Sequence, residues 1–260
     1  MPYAGKLPPM DQMRLFNKAG SQCQWLGDYE TAVAYHQRAL TLARQTGDQT
    51  FLAHTLHFLG NAAGRQGDYE TARTTLEESL VYHRTLPDIA PAQLMTLLNN
   101  LGIVYRRLGN YERATELLQE TLIMREATGD DIGKASVLSN LGNLAILQGD
   151  LVRARVLFGQ SLRLRQEVHD RLGLATVLSH MADLALQEKQ WLRSVRLYAA
   201  SQRQFAQLQV PMTADALADY ERNREQLRAA LDEFAFAQAE AAGAAMSLDE
   251  AVAYTLTDSP

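Results

Sequence analysis

The chain has a single cysteine, Cys23, among 260 residues, so no internal disulfide can form and the fold must be held by packing alone. Prolines number seven, and three of them fall within the first nine residues. The stretches 10–86 and 92–210 contain none, which leaves long helices unbroken. No apolar run approaches 18 residues and no charged start precedes an apolar segment. Neither a membrane span nor a secretory signal is therefore expected, and the expected location is cytoplasmic. A basic excess is also missing. Residues 211–260 hold ten acids and three arginines, net -7, and the remainder holds 22 basic residues against 20 acids, net +2. That balance does not suit a nucleic-acid module, so no direct nucleic-acid contact is expected.

What the chain does have is self-similarity. Gly20, Gly60, Gly102, Gly142 and Ala182 fall in one register. The turns Gly27-Asp28-Tyr29, Gly67-Asp68-Tyr69, Gly109-Asn110-Tyr111, Gly149-Asp150-Leu151 and Lys189-Gln190-Trp191 follow at successive spacings of 40, 42, 40 and 40 residues. A small residue comes next each time: Ala32, Ala72, Ala114, Ala154 or Ser194. Matched to the Gly or Ala before the turn, it lets two helix backbones approach closely. Leu40, Leu80, Leu122 and Leu162 then recur, with Gln202 breaking the series. Gly47-Asp48 and Gly129-Asp130, with the variants Pro87-Asp88 and His169-Asp170, read as a helix stop followed by an N-cap.

The stretch Leu97 to Leu122 carries Leu101-Gly102-x-x-Tyr105, Gly109-Asn110-Tyr111 and Ala114-x-x-x-Leu118. That order of residues resembles the tetratricopeptide repeat. HEAT and armadillo arrays share a period near 40 but not this order. The period is longer than the ~34 of the plain repeat, and similar to that of the maltose-operon activator and of kinesin light chain. The resemblance implies an all-α, right-handed α-solenoid of five helical hairpins with a helical C-terminal cap, whose concave inner face binds a partner. The expected layout is a flexible lead-in over 1–10, repeats over 11–210 (about 13–48, 51–88, 91–130, 131–170 and 171–208), and the cap over 211–260.

In the tail, Thr213 is expected to cap a helix through about Ala230. A second helix is expected to stop at Gly243, and Ser247-Leu248-Asp249-Glu250 reads as a capping box for a helix over 248–256. Phe234, Phe236, Leu248, Val252 and Leu256 are expected to close the stack. Val195-Arg-Leu-Tyr-Ala-Ala-Ser, Asp219-Tyr220-Glu221-Arg222, Leu227-Arg228-Ala229-Ala230-Leu231, Ala235-Phe236 and Ser247 to Ala253 are similar to the ending of large bacterial signalling ATPases and transcriptional regulators. Asp232 and Glu240 depart from that ending, where Gly and Trp are usual. The resemblance implies the sensor or interaction arm of such a regulator.

Catalytic chemistry is not legible. Gly129-Asp-Asp-Ile-Gly133-Lys134-Ala135 is one residue short of a phosphate-binding loop and ends in Ala where a metal-binding hydroxyl is needed. His54 and His57, three apart, lack a third ligand nearby in sequence. Glu77-Glu78 and Asp130-Asp131 suit helix surfaces and starts. Cys23 shares the register of Ala63, Tyr105 and Ala145 and is expected to be buried and inert. No enzyme and no cofactor or metal is expected.

Counting from the Leu-Gly landmark, the groove positions are His54, His57 and Asn61 in repeat two, and Asn99, Asn100 and Arg106 in repeat three. Ser139, Asn140 and Asn143 follow in repeat four, and His180 and Asp183 in repeat five. Asn100, Asn140 and His180 share one register, which resembles the asparagine ladder of kinesin light chain and related adaptors. A side-chain amide carries both a donor and an acceptor and so matches one peptide unit. An extended peptide or a partner protein is therefore the expected occupant. The alternative is a small-molecule effector, for which Phe58 is one of few aromatics near this face.

Overall fold

The computed structural model describes residues 7–87 and 90–257, among which there are thirteen α-helices and no strand. Ten helices form five hairpins. These are α1 (Pro9–Trp25) with α2 (Tyr29–Thr46), α3 (Gln49–Gln66) with α4 (Tyr69–Thr85), and α5 (Pro91–Arg107) with α6 (Tyr111–Thr128). They continue as α7 (Asp131–Leu147) with α8 (Leu151–Glu167) and α9 (Arg171–Gln187) with α10 (Trp191–Leu208). The chain forms two compact units, residues 1–121 and 122–260, with the boundary inside α6. Each unit shows the layering of an α-solenoid. In the first, α1 touches α3 and α3 touches α5, while α2 and α4 each pack on the next first helix; in the second, α7 touches α9 and α8 packs on α9.

Turn chemistry explains why each hairpin closes. Gly27, Gly67, Gly109 and Gly149 have φ of 81°, 92°, 79° and 79°, a left-handed conformation that costs a glycine little. The next residue then caps the second helix: Asp28 accepts from the Thr31 amide at 3.1 Å, Asp68 from Thr71 at 3.0 Å and Asp150 from Arg153 at 3.0 Å. The fifth hairpin departs from the pattern. Lys189 takes φ 60° without being glycine, and Gln190 supplies no side-chain cap. Between hairpins Asp48 and Asp130 cap α3 and α7, as their positions suggest, whereas Asp88 lies outside the described residues.

Inside a hairpin the glycine register makes room for bulk. A Cβ on Gly142 would sit 2.5 Å from the Phe158 ring, and one on Gly102 would sit 2.8 Å from Leu118. The partner is thus a large side chain one turn beyond Ala154 or Ala114, rather than the alanine itself. Ala154 and Phe158 are both fully buried, and burying a ring of that size is worth ~1.5–3 kcal/mol. A hydroxyl ties the second helix to the first in three hairpins, at α4, α8 and α10. Ser79 donates to the Ala53 carbonyl at 2.8 Å, Ser161 to Ala135 at 2.7 Å and Ser201 to Ala175 at 2.8 Å. Where the first helix carries Met95 in place of alanine, Thr121 turns back to its own helix at Leu117.

The tail forms α11 (Ala214–Ala230), α12 (Glu233–Ala245) and α13 (Leu248–Leu256). Thr213 caps α11, and Ser247 with Glu250 forms the capping box of α13. The last turns of α12 and α13 carry no basic residue of their own. Arginines of α10 fill that role: Arg203 donates to the carbonyls of Ala244, Ala245 and Met246, and Arg193 to those of Tyr254, Thr255 and Thr257. Cations at helix C-termini satisfy orphan carbonyls and oppose the helix dipole.

Several expectations are corrected. Helix α1 starts at Pro9, because proline's fixed φ suits the first helical position; residues 1–6 of the expected lead-in lie outside the described residues. Gly243 does not stop α12 but lies within it, packed so tightly that an added Cβ would collide with the Arg196 carbonyl. Phe236 and Val252 are buried, but Phe234 is 78% exposed and Leu256 42%, since each lies one or two positions off the buried stripe. Cys23 is half-buried, unlike Ala63 and Ala145.

Candidate functional site: the face of the first helices

In the first unit this face is organised by α3. His57 Nε2 lies 3.3 Å from the Asn100 amide nitrogen of α5, and His54 Nε2 lies 2.8 Å from the Gln93 side-chain oxygen. An amide nitrogen only donates, so His57 Nε2 accepts and the ring is neutral. Burial lowers the His57 pKa to about 4, with smaller contributions from His83 and His54. His83 of α4 donates through Nδ1 to the Ser79 carbonyl at 2.9 Å, and burial lowers its pKa too. The rings of His54 and His57 lie 6.1 and 5.9 Å from that of His83. Phe58, 37% exposed, stacks on His57 at 6.3 Å and on His36 of α2 at 5.6 Å.

Asn61 is half-buried on the same helix and makes no hydrogen bond among the described residues. Asn99, Asn100 and Arg106 are half-buried on α5. Tyr105 donates to Glu77 of α4, and Glu77 is also held by Arg73 at 2.9 Å.

The second unit repeats the theme. The Asn143 amide nitrogen of α7 lies 3.2 Å from His180 Nε2 of α9, and the His180 ring lies 5.6 Å from that of Phe158. Asn140 is half-buried, while Ser139 is buried and bonded to Ser161 at 2.8 Å, facing the second helix instead of the groove. Asp183 is covered by the tail: Tyr198 of α10 and Asn223 of α11 both donate to Oδ1, the latter at 2.8 Å. Burial lifts the Asp183 carboxyl to about 6 against the opposing pull of those two hydrogen bonds. The residue that follows the landmark thus links to the next first helix twice, Asn143 to His180 and Asp183 to Asn223. In the tail α11 stands where another first helix would.

Sequence reasoning missed a polar cluster under the first repeat. Asn17 donates to Thr55 at 2.8 Å, and its oxygen lies 3.0 Å from His36 Nδ1, with all three side chains buried. Burial lowers the His36 pKa to about 4. Asn17 sits three residues before Gly20, the register of His57 before Gly60, so its position was readable. No group of three metal-ligating side chains occurs among the described residues. In the loop-like stretch 129–135, Asp130 caps α7 by accepting from the Gly133 amide at 2.8 Å and pairs with Arg125.

A family model described as "Tetratricopeptide repeat" matches residues 11–80 and 93–167, more than half of the chain. No curated protein matches the chain in sequence. Among solved structures, BtubC (BKLC) from P. vanneervenii is 21% identical, with a TM-score of 0.61 over 78% of this chain and 82% of its own. The apo form of RapI is 15% identical, with a TM-score of 0.64 over 88% and 87%. NprR in complex with its cognate peptide NprX is 16% identical, with a TM-score of 0.58 over 93% of this chain and 62% of its own. At these identities the likeness is one of fold. No described helix is long and apolar enough to cross a membrane.

Proposed function

Because this chain belongs to the tetratricopeptide repeat family, we propose that it is a non-catalytic scaffold holding a peptide or protein segment on the face of its first helices. The observation that carries this reading is the set of amides along that face. Asn61 makes no hydrogen bond among the described residues, while Asn100 and Asn143 each use one amide nitrogen on a neighbouring imidazole. A side-chain amide offers two donor hydrogens and an oxygen with two lone pairs, so one such contact leaves most of its capacity for a peptide backbone. That NprR was solved with a peptide bound adds to this reading. In unit 1 His54, His57, Asn99 and Arg106 would flank the segment; in unit 2 Asn140 and His180 occupy the corresponding face, with Asp183 beneath α11. In this reading residues 11–210 form five repeats and 211–260 their cap, acting in the cytoplasm as the sensor or interaction arm of a bacterial signalling or transcription regulator.

The test is selection of binders from a displayed random peptide library against the full chain. Affinity is then compared for Asn61→Ala combined with Asn100→Ala. Loss of two hydrogen bonds at ~0.5–1.5 kcal/mol each should weaken a bound peptide about tenfold or more. Failure to select any peptide rejects the reading.

A small-molecule effector is the second reading, and the His36–Phe58–His57 ring stack favours it. A partly exposed aromatic face is a platform for a planar or sugar ring. A metabolite panel screened by thermal shift distinguishes the two, since Phe58→Ala should abolish a metabolite shift.

A further inference from the structure

We propose that the occupant of the first-helix face in unit 1 is an acidic segment of a partner protein, its carboxylates lying over Arg14 and Lys18 of α1. This rests on the scaffold reading above and adds the chemistry of the partner. Charge is segregated between the two helix layers of this unit. Helices α1, α3 and α5 carry five basic residues, Arg14, Lys18, Arg65, Arg106 and Arg107, against the single acid Asp11, a net of +4. Helices α2 and α4 carry four arginines and four glutamates, a net of zero.

Three of the four arginines of α2 and α4 are paired with carboxylates. On the second helices Arg44 pairs with Glu78 and Arg84 with Glu120, and Arg73 holds both Glu70 and Glu77. The turn aspartates Asp28, Asp48 and Asp68 are occupied in capping backbone amides. Arg14 and Lys18, exposed and one turn apart on α1, have no carboxylate partner among the described residues. Residues 1–121 as a whole hold 11 basic residues and 12 acids, net -1, so a layer of net +4 within them is not a by-product of composition.

Register places these cations on the binding face. Lys18 stands two residues before Gly20, as Phe58 stands before Gly60 and Asn100 before Gly102. Arg14 stands six before Gly20, in the register of His54. From α1 to α5 the row therefore reads cation, aromatic ring, amide. Neighbouring packed helices lie ~8–10 Å apart and an extended chain advances ~3.3 Å per residue. An acid over Lys18 thus falls about three residues from the part of the segment over Phe58. Nucleic acid is disfavoured because the row holds only two unpartnered cations, interrupted by neutral rings and amides.

The experiment uses the full chain, the displayed random peptide library, and a random-sequence single-stranded oligonucleotide as a competing probe. Peptides selected by the wild type should be enriched in Asp and Glu, and their binding should weaken as salt rises. Arg14→Glu with Lys18→Glu should weaken an acidic peptide at least tenfold, and a version of that peptide with Lys replacing its acids should bind the variant better than the wild type. An unchanged far-UV circular dichroism spectrum and melting temperature certify the variant, as both side chains are exposed. Selected peptides without acidic enrichment overturn the proposal while the scaffold reading stands. No selected peptide at all overturns both. Binding of the oligonucleotide in place of acidic peptides, lost in the same variant, also overturns it in favour of nucleic acid.

Discussion

The amide of Asn100 reaches Nε2 of His57 at 3.3 Å, so a residue of the expected peptide ladder also fastens α5 to α3. Binding and packing are joined in one side chain. Replacing Asn100 by Ala should cost about 0.5–1.5 kcal/mol of folding stability, read from urea denaturation. Replacing it by Asp should raise the His57 pKa from about 4, because a carboxylate beside the ring favours the imidazolium. Imidazole proton shifts followed by NMR against pH check this. An unmoved His57 titration means that the two groups do not meet in solution.

The repeat architecture was legible because its signals are local. Glycine at a left-handed turn and aspartate at the following N-cap are dictated by backbone sterics and unpaired amides, so Gly67-Asp68 announces a helix boundary wherever it stands. Polar links between hairpins were less legible, since they depend on which residue of the next helix arrives opposite. Asn143 and His180 were both named as groove positions, but their contact across 37 residues is set by the helix stack. Gly243 misled for the same reason: glycine near a helix end usually stops it, yet here the close backbone of Arg196 demands the missing Cβ.

Histidines govern the acid response of the first unit. Burial lowers the pKa values of His36 and His57 to about 4 from the ordinary 6.5, and lowers that of His83 as well. A depressed folded value means the unfolded chain binds protons first. Their stabilising contribution is thus fully present above pH 6.5 and is lost as pH falls through 4. Stability should decline by up to ~3 kcal/mol for each of His36 and His57 across that window, and His57→Gln should flatten the slope. Chemical denaturation at pH 7.5, 5.5 and 4.5 provides the measurement.

Asp183 acts with the opposite sign. Its carboxyl is raised to about 6 from 3.8, so its contribution is fully present below 3.8 and is lost as pH rises through 6. Asparagine there can still accept from Tyr198 and Asn223 while carrying no charge. Asp183→Asn should therefore stabilise the protein at pH 7.5 by ~1–3 kcal/mol and have little effect near pH 4. Equal melting shifts at both pH values would show that the carboxylate is not held out of water.

Two glycines in one hairpin should respond oppositely to Ala. Gly159 lies within α8 with nothing inside 4 Å of an added Cβ, so Gly159→Ala should stabilise by about 0.5–1 kcal/mol through lost unfolded-state freedom. Gly142→Ala drives a methyl into the Phe158 ring and should destabilise by ~1–3 kcal/mol, the range for overpacked cores. Combining it with Phe158→Leu should recover part of the loss. A double variant no better than the single would mean that the clash lies elsewhere.

The tail tests whether helices without basic last turns depend on cations borrowed from α10. Arg193 is 7% exposed, donates to three carbonyls at the end of α13 and lies 5.1 Å from the Tyr254 ring. Its loss removes the arginine donor from the carbonyls of Thr255 and Thr257, beside the buried Thr255 side chain, whereas the Tyr254 carbonyl keeps the Thr257 hydroxyl at 2.9 Å. Arg193→Ala should cost ~1.5–3 kcal/mol, the worth of hydrogen bonds to a charged group. Arg193→Lys should retain part of that, since an ammonium keeps the charge opposite the helix dipole but not the guanidinium fork. Arg203→Ala should weaken the end of α12 in the same way. Hydrogen exchange localises the effect: amides of residues 248–257 should lose protection in Arg193→Ala, while those of α9 lose less. If protection falls evenly through α9, α10 and α13, the tail does not open on its own, and Arg193 supports the whole second unit instead of fastening its last helix.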